Sequence, residues 1–298
     1  MSTITVLMPT FNRGTCLANL FRSLMRQTTY DFTWMIVDDG STDDTERKVQ
    51  RFALQSKFKI RYLRKKNGGK HTALNVGIRK INTPLTLIVD SDDELLPDGV
   101  QTVLAYDRKY RGEKDLCGFS FLRVSHEGVP LARLPGDEFT SGYLQCRVRG
   151  RVKGDMAEVF YSDVLKKYPF PEFPGEKFLS EDVVWIAIGR SYSCVFVRKP
   201  IYRCEYLPDG LTGNDKKLKF ASPYGSMMRG KALMEVSCGF PAWMRGAVIY
   251  DCYRREIGRR KRKGLPECLR LRGSRCKFLT ALMRPAGLFF HWYWGRSV

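Results

Sequence analysis

The sequence predicts an α/β fold with a mainly parallel central sheet, flanking helices and a basic, helical C-terminal extension. Three observations predict it. Apolar runs with strand character alternate with helix-spaced segments through residues 1–110. A polar cluster follows each of these runs at a corresponding place. Residues 245–298 then carry a concentrated positive charge.

Residues 4–8 form a short, β-rich apolar run, and residues 16–27 set Leu17, Leu20, Phe21 and Leu24 at i, i+3, i+4, i+7, one face of a helix. Residues 34–37 are a second strand that ends in Asp38-Asp39-Gly40-Ser41. Ser41, with Asp44 three residues on, reads as the N-cap of a helix over 42–55. A third strand over 60–63, a helix over 72–81 with Leu74, Ile78 and Ile81 on one face, and a fourth strand over 85–89 complete the alternation. Such alternation implies parallel strands covered on both faces. Beyond residue 115 the pattern is less regular. Residues 116–124, 158–161, 194–197 and 201–205 read as strands, 169–174 as an aromatic, proline-rich loop and 181–192 as a helix.

A chain of 298 residues with 43% hydrophobic and 28% charged residues buries an ordinary core, which excludes global disorder. The expected organisation is one domain over 1–220, with halves at 1–110 and 111–220, and a helical extension over 221–298. The net charge of +20 divides unevenly: +5 over 1–110, +4 over 111–244 and +11 over 245–298. Nine scattered cysteines without a C-x-x-C pair suggest neither a zinc site nor a disulfide framework, and a reducing cytosol is the expected compartment. No signal peptide and no transmembrane helix are expected, because Pro9 interrupts the early apolar run and no run of about 20 apolar residues occurs.

Open α/β sheets bind ligands beyond the carboxyl ends of their strands. Three of the four strands lead into Pro9-Thr10-Phe11-Asn12-Arg13, Asp38-Asp39-Gly40-Ser41 and Asp90-Ser91-Asp92-Asp93. The other leads into Arg64-Lys65-Lys66-Asn67-Gly68-Gly69-Lys70, so all four sets converge on one rim. Acidic groups beside a glycine-lysine loop suit a metal diphosphate: hard oxygens hold Mg²⁺ or Mn²⁺ and lysine offsets phosphate charge. Any one of these aspartates alone is as readily a turn or helix cap. Four sets at corresponding strand ends favour a site.

The order T-x-x-M-P-T-F-N-R, V-D-D-G-S-T-D-x-T, N-G-G-K-H-T-A-L-N-x-G-I and D-S-D-D-E-x-x-P resembles the family 2 glycosyltransferases, which have the Rossmann-like GT-A fold. The resemblance continues at Ser180-Glu181-Asp182-Val183-Val184-Trp185, which is similar to the family's E-D motif. It implies that residues 1–110 bind a nucleotide sugar and 111–220 form the acceptor half. It further implies that Pro9, Thr10, Phe11 and Arg13 lie along base and ribose, and that Asp39 hydrogen-bonds the base. Gly69 and Lys70 would sit in the donor loop, with Lys70 near base and diphosphate. Asp90 and Ser91 belong to the donor motif, Asp90 reaching the ribose or a metal-bound water, and Asp92 coordinates Mn²⁺ or Mg²⁺. Asp182 matches the general base, with Glu181 on the acceptor side.

The expected donor is a UDP-sugar; a sugar leaving a nucleoside diphosphate builds negative charge on the leaving group, and the acceptor hydroxyl loses a proton as it attacks. One base and one metal imply a single displacement with inversion. The expected acceptor is a glycan or lipid-linked saccharide in cell-surface polysaccharide synthesis. The Q-x-x-R-W motif of processive members is absent, which argues for addition of one or a few sugars. Gly154-Asp155 with Glu158 reads as an acceptor-side strand and residues 209–214 as a lid loop; both fit ordinary turns equally well. His71 is expected to be solvated or to cap a helix rather than to contact phosphate. A sugar-nucleotide nucleotidyltransferase shares the broad architecture, but its G-x-G-T-R-x-x-P loop is missing. A non-catalytic GT-A-like binding protein is disfavoured by the intact Asp90, Asp92 and Asp182.

The extension combines Arg254-Arg255, the basic run 259–263, Arg270, Arg272, Arg275 and Lys277 with the aromatic cluster 288–294. Cations followed by Trp and Tyr suit a membrane interface, so residues 254–298 are expected to hold the protein peripherally at the cytoplasmic face of the plasma membrane. The alternative is a solvated basic helix with an aromatic cluster packed on the body. No recognisable motif supports nucleic-acid binding.

Overall fold

The computed structural model describes residues 2–150, 152–204, 215–236, 238–259 and 264–296. Its first four strands, β1 (Ile4–Thr10), β2 (Phe32–Asp38), β3 (Lys59–Arg64) and β4 (Leu85–Ile88), are mutually parallel in the order β3-β2-β1-β4. They are linked by α1 (Leu17–Met25), α2 (Thr45–Gln55) and α3 (Lys70–Lys80). Every residue of β1 and β2 is buried, as strands covered on both faces require. Aromatic side chains fill much of the space beneath: Phe21 stacks on Phe52 at 4.3 Å and Phe32 lies 4.6 Å from Phe58, beside the buried Trp34. The register sets Thr10 opposite Asp38 and Asp38 opposite Arg64, so three strands end level and release their polar clusters along one rim.

The sheet continues with β5 (Glu94–Leu95), β6 (Leu116–Val124), β7 (Glu138–Gly142), β8 (Met156–Tyr161) and β9 (Ser193–Arg203). β8 adds antiparallel to β4, followed by β6, β9 and β5, with β7 also on β9; α4 (Gly99–Lys109) and α5 (Ser162–Lys166) flank them. The two strands expected over 194–197 and 201–205 are one strand, β9. Its pairing with β6 jumps from Phe121 and Val197 to Leu122 and Pro200, a bulge where proline's missing N–H costs no ladder bond. Residue 205 lies outside the described residues.

Two helix boundaries also differ from expectation. Helix α2 starts at Thr45, because the Ser41 hydroxyl is taken by the backbone N–H of Asn12 instead of capping a helix. The helix expected over 181–192 is α6 (Asp182–Ile188), which ends at Gly189.

The chain divides into two compact units, each discontinuous in sequence. The first comprises Met1–Gly142, Arg151–Pro169 and Ser191–Glu205 and holds the sheet; the second comprises Tyr143–Gly150, Phe170–Arg190 and Tyr206–Val298. The second is helical: a π turn at Leu144–Val148, α6, α7 (Asp215–Ala221), α8 (Pro223–Glu235), α9 (Phe240–Arg259), a 3₁₀ turn at Glu267–Leu269, α10 (Ser274–Leu282) and α11 (Arg284–Gly295). Helices α8 and α9 meet backbone to backbone. A Cβ on Gly230 would lie 2.7 Å from the Gly246 carbonyl oxygen, and one on Gly246 would lie 2.6 Å from that of Gly230.

Along α9, fully buried Asp251 pairs with Arg254 and Arg255 at 3.2 and 2.8 Å, and fully buried Glu256 with Arg259 and His291 at 2.7 and 3.2 Å. Part of the extension's positive charge is therefore used internally.

Gly246→Val should force α8 and α9 apart. We expect a loss of about 1–3 kcal/mol, or a Tm several degrees lower, read by thermal unfolding.

Candidate active site

The loop after β1 is locked to the loop after β2. The Asp39 N–H donates to the Thr10 carbonyl at 2.8 Å, the Asn12 N–H to Ser41 Oγ at 2.8 Å, and the Thr42 N–H to Asn12 Oδ1 at 2.8 Å. Asp38, fully buried, accepts from the Ser41 N–H at 2.7 Å and from the Tyr62 hydroxyl at 2.5 Å. Burial and that carboxylate push the Tyr62 phenol well above its ordinary pKa. Pro9 and Thr10 are buried, Arg13 is half-buried, and the Phe11 ring stands 45% exposed at the rim. A rigid base with one outward aromatic face can stack a planar ligand.

Asp39 gathers the glycine loop. Its buried carboxylate accepts from Lys65 Nζ at 2.6 Å, Asn67 Nδ2 at 3.1 Å, the Gly68 N–H at 2.9 Å and the Gly69 N–H at 2.6 Å. Gly69 takes φ +96°, a conformation a side chain resists, which turns its N–H toward Asp39 and starts α3 at Lys70. Lys65 also donates to Thr72 Oγ1 at 2.8 Å. In the sequence Lys65 lies among several cations, with nothing in the pattern to distinguish it.

The end of β4 carries the acidic cluster. Lys70 Nζ meets Asp90 Oδ1 at 2.5 Å. The Asp90 N–H donates to the Tyr202 hydroxyl at 2.9 Å, which donates in turn to Asp93 Oδ2 at 2.7 Å; the Arg123 guanidinium lies 4.5 Å from the Tyr202 ring centre. Burial acts to raise the Asp90 pKa, but the charges of Lys70 and Arg123 outweigh it and hold the carboxyl below its usual range. Asp92 is raised by burial and then by the charge of Asp90. Asp93 is raised to about 7 by burial and by Asp90, although its bond from Tyr202 acts the other way.

Ser91 is buried between these carboxylates in sequence. Arg123 and Tyr202 were not singled out from sequence. One signal existed for Arg123, a lone cation inside the apolar run of β6.

Among the described residues, no three carboxylate, imidazole or thiol side chains form a protein-only metal cage. The strand end instead offers Asp92, with Asp90 beside it, as hard oxygen donors whose mutual repulsion a divalent cation would relieve. Such a set fits Mg²⁺ or Mn²⁺ whose remaining positions are filled by diphosphate oxygens.

In the second unit, Asp182 opens α6. Its Oδ2 accepts from Arg229 Nε of α8 at 2.7 Å, while Oδ1 is buried and, among the described residues, meets no hydrogen-bond donor. Arg245 on α9 lies near this pair. Burial and the like charge of Arg229 lower its pKa, with Asp182 acting in the opposite sense. Glu181 is half-buried just before the helix. Arg229 was also missed from sequence, since it comes 47 residues after the carboxylate it orients.

Asp155 belongs to the first unit and is exposed in the turn before β8; Glu158, within β8, contributes to the charge that keeps Arg123 protonated. His71 is 2% exposed in the first turn of α3, so the expectation of a solvated histidine is corrected. The candidate lid loop, 209–214, lies outside the described residues.

The ten residues assigned to the donor from sequence thus all fall at the carboxyl ends of β1, β2 and β4 or in the loop after β3, within one unit. Asp39→Ala should leave Lys65 and two loop N–H groups without their acceptor. The expected result is a loss of at least about 3 kcal/mol in stability, with faster amide exchange at Gly68 and Gly69.

The sequence model of Glycosyl transferase family 2 matches residues 5–134. Poly(ribitol-phosphate) beta-N-acetylglucosaminyltransferase TarS of Staphylococcus aureus is 27% identical over 132 residues, 44% of this chain and 23% of TarS. Glycosyltransferase GlyG of Streptococcus pneumoniae is 33% identical over 101 residues, 34% of this chain and 33% of GlyG. An uncharacterized glycosyltransferase of Rickettsia bellii is 28% identical over 139 residues, 46% of this chain and 19% of that protein. The matched stretch spans about a fifth to a third of the length of these relatives.

Among solved structures, S. aureus TarS 1–349 with UDP-GlcNAc superposes with a TM-score of 0.60 at 17% identity, covering 86% of this chain and 72% of that one. A mannosyltransferase from Pyrobaculum calidifontis, in complex with GDP-Man and Mn²⁺, gives 0.55 at 14% identity, covering 98% and 87%. The fold is GT-A, and residues 5–134 match the glycosyl transferase family 2 model.

Proposed function

We propose that this chain transfers a sugar from a nucleoside-diphosphate sugar, specifically a UDP-sugar, to a hydroxyl of a glycan or lipid-linked acceptor, with inversion, in the synthesis of a bacterial-type surface polysaccharide. The observation that carries the reading is the β4 end, where Asp90, Asp92 and Asp93 face Lys70 and Arg123 beside a glycine loop organised by Asp39. TarS, which has the same fold, is solved with UDP and with UDP-GlcNAc, which supports a nucleotide-sugar donor. The name of TarS, a poly(ribitol-phosphate) beta-N-acetylglucosaminyltransferase, supports the polysaccharide context.

In this reading Phe11 stacks on the base, Pro9, Thr10 and Arg13 line it with the ribose, and Asp39 presents the loop and the base-contacting edge. Lys70 offsets diphosphate charge. Asp92, with Asp90, would hold Mg²⁺ or Mn²⁺, which supplies charge stabilisation to the departing diphosphate. Asp182 takes the proton of the acceptor hydroxyl on Oδ1. Its other oxygen is fixed by Arg229, so the carboxylate is oriented while one oxygen stays able to accept. Glu181 and Asp155 contact the acceptor. The chain works as a peripheral protein at the cytoplasmic face of the membrane, where a lipid-linked acceptor is presented and where nine thiols stay reduced.

Two variants test the assignment. Asp182→Asn should keep donor binding, read by thermal shift with UDP-sugars, and lose about 10²–10⁴-fold in transfer; full transfer would remove Asp182 from the base role. Asp92→Ala should bind donor no better with Mn²⁺ than without it, and wild-type-like Mn²⁺ enhancement would sink the metal assignment.

A further inference from the structure

Helix α11 is amphipathic in the reverse of the usual sense. Gly287, His291 and Gly295, four residues apart, face the second unit: Gly287 packs on Asp251, His291 meets Glu256 at 3.2 Å, and Gly295 approaches Phe220. Its large apolar residues face outward. Leu288, Phe289, Trp292 and Tyr293 are each 51–53% exposed, at the spacing of a single helix face. Phe289 stacks on Tyr293 at 5.9 Å, and the Arg296 guanidinium covers Trp292 at 4.0 Å. Helix α10 repeats the arrangement: Cys276, Leu279 and Thr280 are buried, while Phe278 and Leu282 are 67% and 52% exposed. A helix that buries its small and polar residues and exposes its aromatic ones lacks a partner for that face.

We propose that the outward faces of α10 and α11 lie in the headgroup region of an anionic lipid bilayer. Charge complementarity selects this occupant. Exposed Arg270, Arg272, Arg275, Lys277 and Arg284 flank the apolar residues in sequence, within a segment of net charge +11. Trp and Tyr favour the headgroup level, and arginine keeps its charge among phosphates while its stem lies on apolar surface. Attachment is in the membrane plane: no helix of the described residues is long and apolar enough to cross a membrane, and the 12 residues of α11 extend about 18 Å, well short of the hydrocarbon core. The inference refines the membrane placement given above to one helical face and is independent of the sugar-transfer reading, because lipid binding and donor binding are measured separately.

The test is flotation of the full chain with vesicles containing phosphatidylglycerol and with vesicles of phosphatidylcholine alone. The wild-type chain should float with the former and stay behind with the latter. Phe289→Ser with Trp292→Ser should keep its far-ultraviolet circular dichroism and lose at least about tenfold in partition. Lys277→Gln with Arg284→Gln should bind more weakly and with less dependence on salt.

If the double serine variant fails to fold, quenching of tryptophan emission by brominated anionic lipid decides. Quenching should occur in the wild type and fall markedly in Trp292→Phe, and equal quenching of both would overturn the proposal. So would absence of flotation, flotation unchanged in the serine variant, self-association through this face seen by light scattering without lipid binding, or salt-sensitive RNA binding without lipid binding.

Discussion

The rim of polar loops beyond the parallel strands depends on one buried carboxylate. Asp39 sits at the end of β2, and its two oxygens collect the side chains of Lys65 and Asn67 together with the N–H groups of Gly68 and Gly69. Three otherwise separate pieces are thereby fixed: the strand end, the loop after β3 and the first turn of α3. Lys70 follows directly and reaches Asp90 at the end of β4. Placement of the positive charge that faces the acidic cluster thus traces back to an aspartate at the end of a different strand. A buried carboxylate with this many donors is also costly to disturb, so the loop it holds is stiff before any ligand arrives.

Electrostatics elsewhere follows the same economy of partners. Two carboxylates on α9 are buried; Asp251 binds two arginines, and Glu256 binds Arg259 and the His291 ring. Asp182 is oriented by Arg229, with Arg245 near, in a setting where a second guanidinium is itself penalised. The excess of +20 is therefore a mixture: some cations neutralise buried acids, some stand near the β4 cluster, and a residue of exposed ones flanks the aromatic residues of α10 and α11 in sequence.

The first four strands and their helices were legible because each buries a contiguous apolar run with its own period, and the polar clusters that follow them fall on one rim as soon as the strands are parallel and in register. What escaped depends on contacts remote in sequence. Ser41 has the signature of a helix cap, but the loop after β1 competes for its hydroxyl and wins, since Asn12 needs an acceptor for its N–H. Tyr202 reads as an ordinary strand residue until the fold sets its hydroxyl between Asp90 and Asp93, 109 residues before it in the latter case. The strand β9 was split in two because Pro200 mimics a terminator, and only the bulge opposite β6 shows how it is accommodated. His71 follows a lysine in a polar loop, yet the helix that begins one residue earlier turns it inward.

The crossing of α8 and α9 at Gly230 and Gly246 has a bearing on the surroundings of Asp182. Where two backbones touch directly, their own van der Waals contact sets the spacing, and little room is left for side-chain repacking to adjust it. Arg229 adjoins one of those glycines and Arg245 the other. Their guanidinium groups are carried on a frame that tolerates exchange of the arginines but hardly any shift of the helices beneath them. Divergence at this place in the molecule would then proceed by changing which groups stand on the frame, leaving the frame's dimensions as they are.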